Sequence, residues 1–348
     1  MQDQRVHDYF TTVTEAWLLG DCDTTRHYDV AVKTLKECAT PKHKMDLASE
    51  LKLLIYMGQH PNIVNVLASC TIRGDLWVIM EYCDHGSLKK FLSDRRKRFS
   101  PSWAVQSADV SHELCLFDLL QMCEQVVKGL MFLHCWKVVH RDISGRNIFM
   151  DANFNVKIAD FGLARTDGFI ASIDDIMPIK WTALESLLRH EYTTKSDIWS
   201  IGILFWEIFS LGDMPYPGMS SREVIQQLKE GYRMDPPDHC PDEIWQIITE
   251  CWDADPDHRP SAAELFEELD EVTVSVCSPP AEQYYGTGDD CTAVGTVQGP
   301  SLQEIQKLAR NKNATPPTGG VRDSPSSSTN DQEMEMTDNK VLNQTFSL

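Results

Sequence analysis

The sequence predicts an α+β chain in which a small sheet with one main helix comes first and a larger, mainly helical part follows. Three observations carry that expectation. Residues 28–35 (YDVAVKTL) and 78–81 (VIME) read as short strands. Residues 117–133 place apolar side chains at Leu119, Cys123, Val126, Leu130 and Leu133, the ~3.6-residue period of a long helix. Further helical patterns run on to Leu269, and after about Ser278 the composition turns to Pro, Gly, Ser, Thr and Asn.

Each element has a local reason. In 28–35, β-branched and polar residues alternate, as a strand with one buried face requires. Residues 45–57 put Leu47, Leu51 and Leu54 on one helical face, and Gly86 marks a turn after the second strand. Residues 93–113 hold the basic run RRKR, Pro101 and several serines, and read as an insert loop. Residues 199–209 are mostly apolar, with Glu207 their one charge, and read as a buried helix, too short for the ~18 residues of a membrane span. The stretch 276–348 has too little apolar surface to offset ordering and is expected to be disordered, with a short helical pattern at 299–311.

Composition excludes several functions. A formal charge of −20 argues against nucleic acid and against a polybasic membrane anchor. The 11 cysteines are odd in number and form no C-x-x-C pair, as expected of free thiols in a reducing compartment. Histidines lack zinc spacing. No signal-peptide pattern opens the chain, so a cytoplasmic protein is expected. Asn313 and Asn343 begin glycosylation-type triplets that would be silent there.

The chemistry lies in an ordered set of motifs. His140-Arg141-Asp142 is followed five residues later by Asn147, and thirteen residues beyond by Asp160-Phe161-Gly162. Behind VAVK and ahead of a helix-rich half, these form the protein kinase signature set. Phosphoryl transfer needs positioning and charge neutralisation more than covalent help. Asp142 can accept the proton of the attacking hydroxyl. Asp160 and Asn147 offer hard oxygens to Mg²⁺, Lys33 a cation to the ATP phosphates, and Glu50 an anchor for that lysine.

Residues 13–269 resemble receptor tyrosine kinases, most closely the fibroblast growth factor receptor group. The matching stretches include VAVKTLK, LWVIMEYCDHGSLKKFL, VVHRDISGRN, VKIADFGLAR, PIKW and SDIWSIGILFWEIFSLG. The resemblance implies a bilobal kinase fold: an N-lobe over about 1–80, a hinge at 81–86 and a mainly helical C-lobe over 87–275. Tyrosine specificity is implied by Arg146 before Asn147 and by PIKW, which resembles the ledge that carries a tyrosine ring. The resemblance also makes Met80 a gatekeeper and gives adenine the hinge backbone of Glu81 and Cys83. It sets Val13 and Ala31 above adenine, Phe149 beneath it and Ser87 near the ribose. Leu54, His140 and Phe161 would join a hydrophobic spine, Asp197 would brace the catalytic loop, and Glu185 would pair with Arg259. The implied partners are protein tyrosine substrates, a second kinase copy, and phosphotyrosine-binding domains at Tyr284 and Tyr285. Were the chain part of a receptor, it would lie on the cytoplasmic side of the plasma membrane.

The chain also departs from the pattern. Where the family has G-x-G-x-x-G, it reads RVHDYFTT, with Phe10 left for the tip of the lid, and the first N-lobe strand is missing. Glycines let a lid approach phosphates because no Cβ intervenes. The segment from Asp160 to Glu185 holds no tyrosine; Thr166 and Ser172 are candidate phosphorylation sites, and Asp174-Asp175 a candidate phosphate mimic. Ala183-Leu184-Glu185 replaces the family's APE, Ser144-Gly145 replaces two alanines, and Phe149 a smaller leucine. Two readings stay open: an ATP- and Mg²⁺-dependent protein tyrosine kinase, or a pseudokinase scaffold with weak or no turnover.

Overall fold

The structure, a computed structural model, describes residues 11–19, 27–72, 75–103, 114–170 and 177–277. The expectations for the missing first strand, Phe10, Ser172, Asp174, Asp175, Tyr284, Tyr285, the glycosylation triplets and the tail lie outside the described residues. The chain divides into two units, Met1–Gly286 and Thr287–Leu348, and every described residue lies in the first.

The first part is one sheet with one helix. Strands β1 (Thr11–Leu19), β2 (His27–Leu35), β3 (Val66–Ile72) and β4 (Asp75–Glu81) pair antiparallel in the order β1-β2-β4-β3. Backbone register sets Val13 opposite Lys33, and Ala31 opposite Met80. Between β2 and β3 runs α1 (Pro41–Met57), four residues longer at its start than the leucine pattern alone indicates. Thr40 and Pro41 explain the earlier start. Pro41 takes the first helical position, where no N–H is missed, and the Thr40 N–H donates to His43 Nδ1 at 3.0 Å. Leu47 and Leu51 pack beneath the sheet on Val78.

The second part is helical. After β5 (Gly86–Ser87) comes α2 (Leu88–Arg95), then short parallel strands β6 (Phe99–Ser100) and β7 (Leu114–Cys115). The insert expected at 93–113 therefore begins as helix. Leu88, Phe91 and Leu92 are buried, and the Arg95 guanidinium lies 3.8 Å from the Phe91 ring, which carries the helix into the basic run. Arg96 then turns back to accompany the end of a later helix, donating to the Leu211 carbonyl at 2.9 Å and to Asp213 at 2.6 Å.

Helix α3 (Leu116–Cys135) buries the predicted stripe completely. It is followed by β8 (Val138–Val139), β9 (Ile148–Met150), β10 (Val156–Ile158), β11 (Arg165–Thr166), β12 (Phe169–Ile170), α4 (Leu184–Arg189) and β13 (Glu191–Tyr192). Helix α5 (Thr194–Phe209), buried along almost its whole length, is the axis of this part, with α6 (Ser221–Lys229), α7 (Asp242–Cys251) and α8 (Ala262–Cys277) beyond it. Backbone bonds sew the two parts together: the Val64 N–H donates to the Ile158 carbonyl, and the Ile158 N–H to that of Asn62, each at 2.9 Å.

Candidate active site

Three charged groups meet between the sheet part and the helical part. Lys33 on β2 is buried, and its Nζ lies 2.8 Å from both Glu50 oxygens on α1 and 3.0 Å from Asp160 Oδ1. Burial alone would lower the Lys33 pKa, but Asp160 and then Glu50 outweigh it and hold the ammonium above its ordinary range. Both Lys33 and Glu50 are under a tenth exposed, so the pair is buried rather than a solvated surface contact.

Asp160 reaches this position through an unusual backbone. Its φ of 63° and ψ of 76° are left-handed, a conformation that non-glycine residues hold only where the surroundings enforce it. The next residue, Phe161, is buried edge-on to His140 with ring centroids 4.9 Å apart, and His140 Nε2 lies 3.0 Å from the Ala159 carbonyl oxygen. Leu54, the third residue assigned to that spine, is buried on α1.

Below lies the loop 140–147. Asp142 is the side chain that the sequence assigns as base. Burial raises its pKa, and Arg146, hydrogen-bonded to its Oδ1, works against that shift. Asn147 is buried, and its Nδ2 donates to the Asp142 backbone carbonyl at 2.9 Å, leaving the amide oxygen to face elsewhere. Two oxygens of different residues, a carboxylate and an amide, suit a hard cation that takes its remaining ligands from water and phosphate. Among the described residues no cluster of three or more His, Cys, Asp or Glu could hold a metal alone.

The loop is fixed from α5. Asp197, fully buried, accepts the His140 N–H at 2.8 Å and the Arg141 N–H at 3.0 Å, and Arg141 takes φ of 70° between them. Glu185 and Arg259 form a bidentate pair at 2.7 and 2.8 Å, as the resemblance implies. Arg141 lies over the rings of Tyr192 (4.2 Å) and Phe169 (4.9 Å) and donates to the Leu163 carbonyl. That arrangement pins the start of the segment holding Thr166.

Part of the set assigned to adenine lies together. Phe149 and Met80 pack against buried Val64, Cys83 and Ala159, and Ser87 stands opposite Phe149 in the β5–β9 pairing. Burial, followed by the Glu81 charge, pushes the Cys83 thiol up to about 12, so it stays neutral. Its carbonyl accepts the Gly86 N–H at 3.0 Å, closing the hinge turn.

Two arrangements escaped sequence reasoning. Glu81 accepts from the Asn65 N–H (2.6 Å) and Nδ2 (2.9 Å) and pairs with Lys157 at 3.1 Å, which ties the hinge to β10. Lys157 is buried, so a lone lysine inside VKIA was the available signal. In the second, Glu207 bonds both the 140–147 loop and Trp181. It is the one charge in an otherwise apolar run, which marked it in the sequence without showing what it reaches.

Residues 6–269 match the family described as protein tyrosine and serine/threonine kinase. A fibroblast growth factor receptor of Hydra vulgaris is 40% identical over 253 residues, which make up 72% of this chain and 30% of that receptor. The chain thus spans less than a third of the length of this relative. Among the described residues no helix is long and apolar enough to cross a membrane.

Proposed function

Because the chain belongs to the protein tyrosine and serine/threonine kinase family, we propose that it transfers the γ-phosphate of ATP to tyrosine hydroxyls in proteins, in receptor-type signalling. The carrying observation is the closed set Lys33–Glu50–Asp160 standing over Asp142 and Asn147. Lys33, held charged, binds phosphate oxygens, and Glu50 keeps it from straying. Asp160 and Asn147 would hold Mg²⁺, which would supply charge neutralisation to the phosphates. Asp142 orients the tyrosine hydroxyl and takes its proton. Its raised pKa leaves it a better proton acceptor than an exposed aspartate. Arg146 joins that carboxylate and lies 4.3 Å from the Trp181 ring, which supports a ledge for an aromatic acceptor rather than for a short serine. Val13, Ala31, Glu81, Cys83, Ser87 and Phe149 are the proposed adenine and ribose contacts. Placement on the cytoplasmic face of a membrane, pairing of kinase copies and recruitment through Tyr284 and Tyr285 belong to the same reading.

The scaffold reading draws on RVHDYFTT, which lacks glycines to bring a lid onto the phosphates. One experiment separates the two. The full chain and its Lys33→Met variant are compared for Mg²⁺-ATP binding by calorimetry and for phosphate transfer to a tyrosine peptide. Binding and transfer by the parent, both lost in the variant, support the enzyme. A folded parent that neither binds nor transfers is a scaffold.

A further inference from the structure

We propose that Glu207 is a positioning residue that locks the acceptor ledge to the catalytic loop through a single buried carboxylate oxygen. The inference rests on the kinase reading above and deepens it. Glu207 lies in α5 and is only 1% exposed. Its Oε2 accepts two hydrogen bonds, one from the Gly145 backbone N–H at 2.9 Å and one from Trp181 Nε1 at 2.8 Å. Gly145 immediately precedes Arg146, and Trp181 is the ring on which the Arg146 guanidinium lies. One oxygen therefore holds both the backbone behind Arg146 and the surface beneath it, and Arg146 holds Asp142. The Gly145 carbonyl is taken as well, by the Lys89 N–H at 2.9 Å, so this peptide is fastened on both sides.

A second observation separates this role from packing. The other oxygen, Oε1, is buried and has no hydrogen-bond partner among the described residues. A half-satisfied buried carboxylate is a poor way to stabilise a helix, since an apolar side chain of the same size would pack there without the desolvation penalty. Burial raises the Glu207 pKa, opposed by the bonds from Gly145 and Trp181 and by the nearby Lys89 and Arg146 charges. What the carboxylate does supply is geometry. It sets the indole edge, hence the plane of the ledge, relative to the loop that carries the base. A shift of this kind misplaces the acceptor hydroxyl without disturbing Lys33, Glu50 or Asp160.

The test uses the full chain with Glu207→Leu, which removes the acceptor, and Glu207→Gln, whose amide oxygen restores it. Expected for Glu207→Leu is a fall of roughly 10- to 100-fold in kcat on a tyrosine peptide, with the KM for ATP within about twofold of the parent. Glu207→Gln should recover to within about threefold, because one carbonyl oxygen still accepts both N–H groups. An unchanged kcat in Glu207→Leu overturns the proposal, as does a Gln variant as impaired as the Leu variant. If Glu207→Leu does not fold, Trp181→Phe, which keeps a ring but removes its N–H, replaces it. A several-fold loss of kcat at constant ATP KM is then expected, and no loss overturns the proposal. Hydrogen exchange of the 144–147 peptide needs no turnover: Glu207→Leu should speed it while Glu207→Gln does not and α5 stays protected, and unchanged exchange in Glu207→Leu rejects the coupling. A parent that transfers no phosphate fails the kinase reading alone, and the exchange result still decides the coupling.

Discussion

Above the cleft, Lys33 is held by one side chain of its own lobe, Glu50, and its other partner, Asp160, belongs to the opposite wall. Below the cleft, the loop 140–147 is fastened by α5 at two points, Asp197 and Glu207, through backbone N–H groups. The upper wall is thus a long side-chain contact that a helix shift can open, whereas the lower wall is bolted through main chain. A side-chain ion pair tolerates movement of its carriers; a backbone N–H bonded to a buried carboxylate does not. The difference assigns adjustment to the upper wall and fixed geometry to the lower one.

The comparison can be broken at several places. The largest effect is expected from Asp142→Asn, which keeps the shape of the lower wall and removes its proposed base: kcat should fall roughly 10²- to 10⁴-fold with ATP binding retained. Calorimetry beside a phosphate-transfer assay checks it, and a variant as active as the parent would sink the role assigned to Asp142. The pH profile sharpens the same point. Because burial raises the Asp142 pKa, the acid limb of kcat should lie above the ordinary aspartate value of 3.8, and an unshifted limb would contradict the burial argument.

Next comes Asp197→Ala. It strips two buried N–H groups of their acceptor, at about 1–3 kcal/mol each, so the lower wall should lose roughly 2–6 kcal/mol in urea unfolding. A loss below 1 kcal/mol would show that the loop is not bolted as described.

The seam between the walls should respond to acid. His60 stacks on Phe132 at 4.7 Å and accepts the Asn62 N–H at 3.1 Å, and burial, followed by the Lys157 charge, lowers its pKa to about 4. The folded form therefore stays neutral while the unfolded chain takes a proton below about 6.5. More protons bind the unfolded state in that window, so stability should fall as pH drops from about 6.5 towards 4, by on the order of 3 kcal/mol. A His60→Gln variant should lack this portion of the loss in pH-dependent unfolding.

The smallest effect is expected at the hinge. Glu81→Gln keeps an acceptor for Asn65 and removes the partner charge of Lys157, whose carbonyl contact at Pro61 remains. About 1 kcal/mol or less should be lost, because the Glu81 side chain is 24% exposed and water screens the pair. A loss several times larger would make the upper wall as rigid as the lower.

Much of this was legible in sequence. The alternation in 28–35 and the stripe on 117–133 each report burial on one face, a local property, and both elements form where those patterns lie. The motifs around Asp142 and Asp160 named the charged set because phosphoryl transfer admits few residue types. The insert was misread at its start. RRKR looks like loop by composition, whereas Arg95 and Arg96 spend their charges on a ring and on the end of α5.

By itself, then, the sequence determined the main helix and strand, their buried faces and the charged residues proposed to react, since each is written in short-range periodicity or in chemical type. Only the tertiary structure decided which charges meet: Glu50 and Asp160 on one lysine 17 and 127 residues away, Asp197 on a loop 56 residues before it, and Glu207 on Gly145 and Trp181. No local pattern encodes those pairings, because a buried charge is satisfied by whatever the packing of distant elements brings within about 3 Å of it.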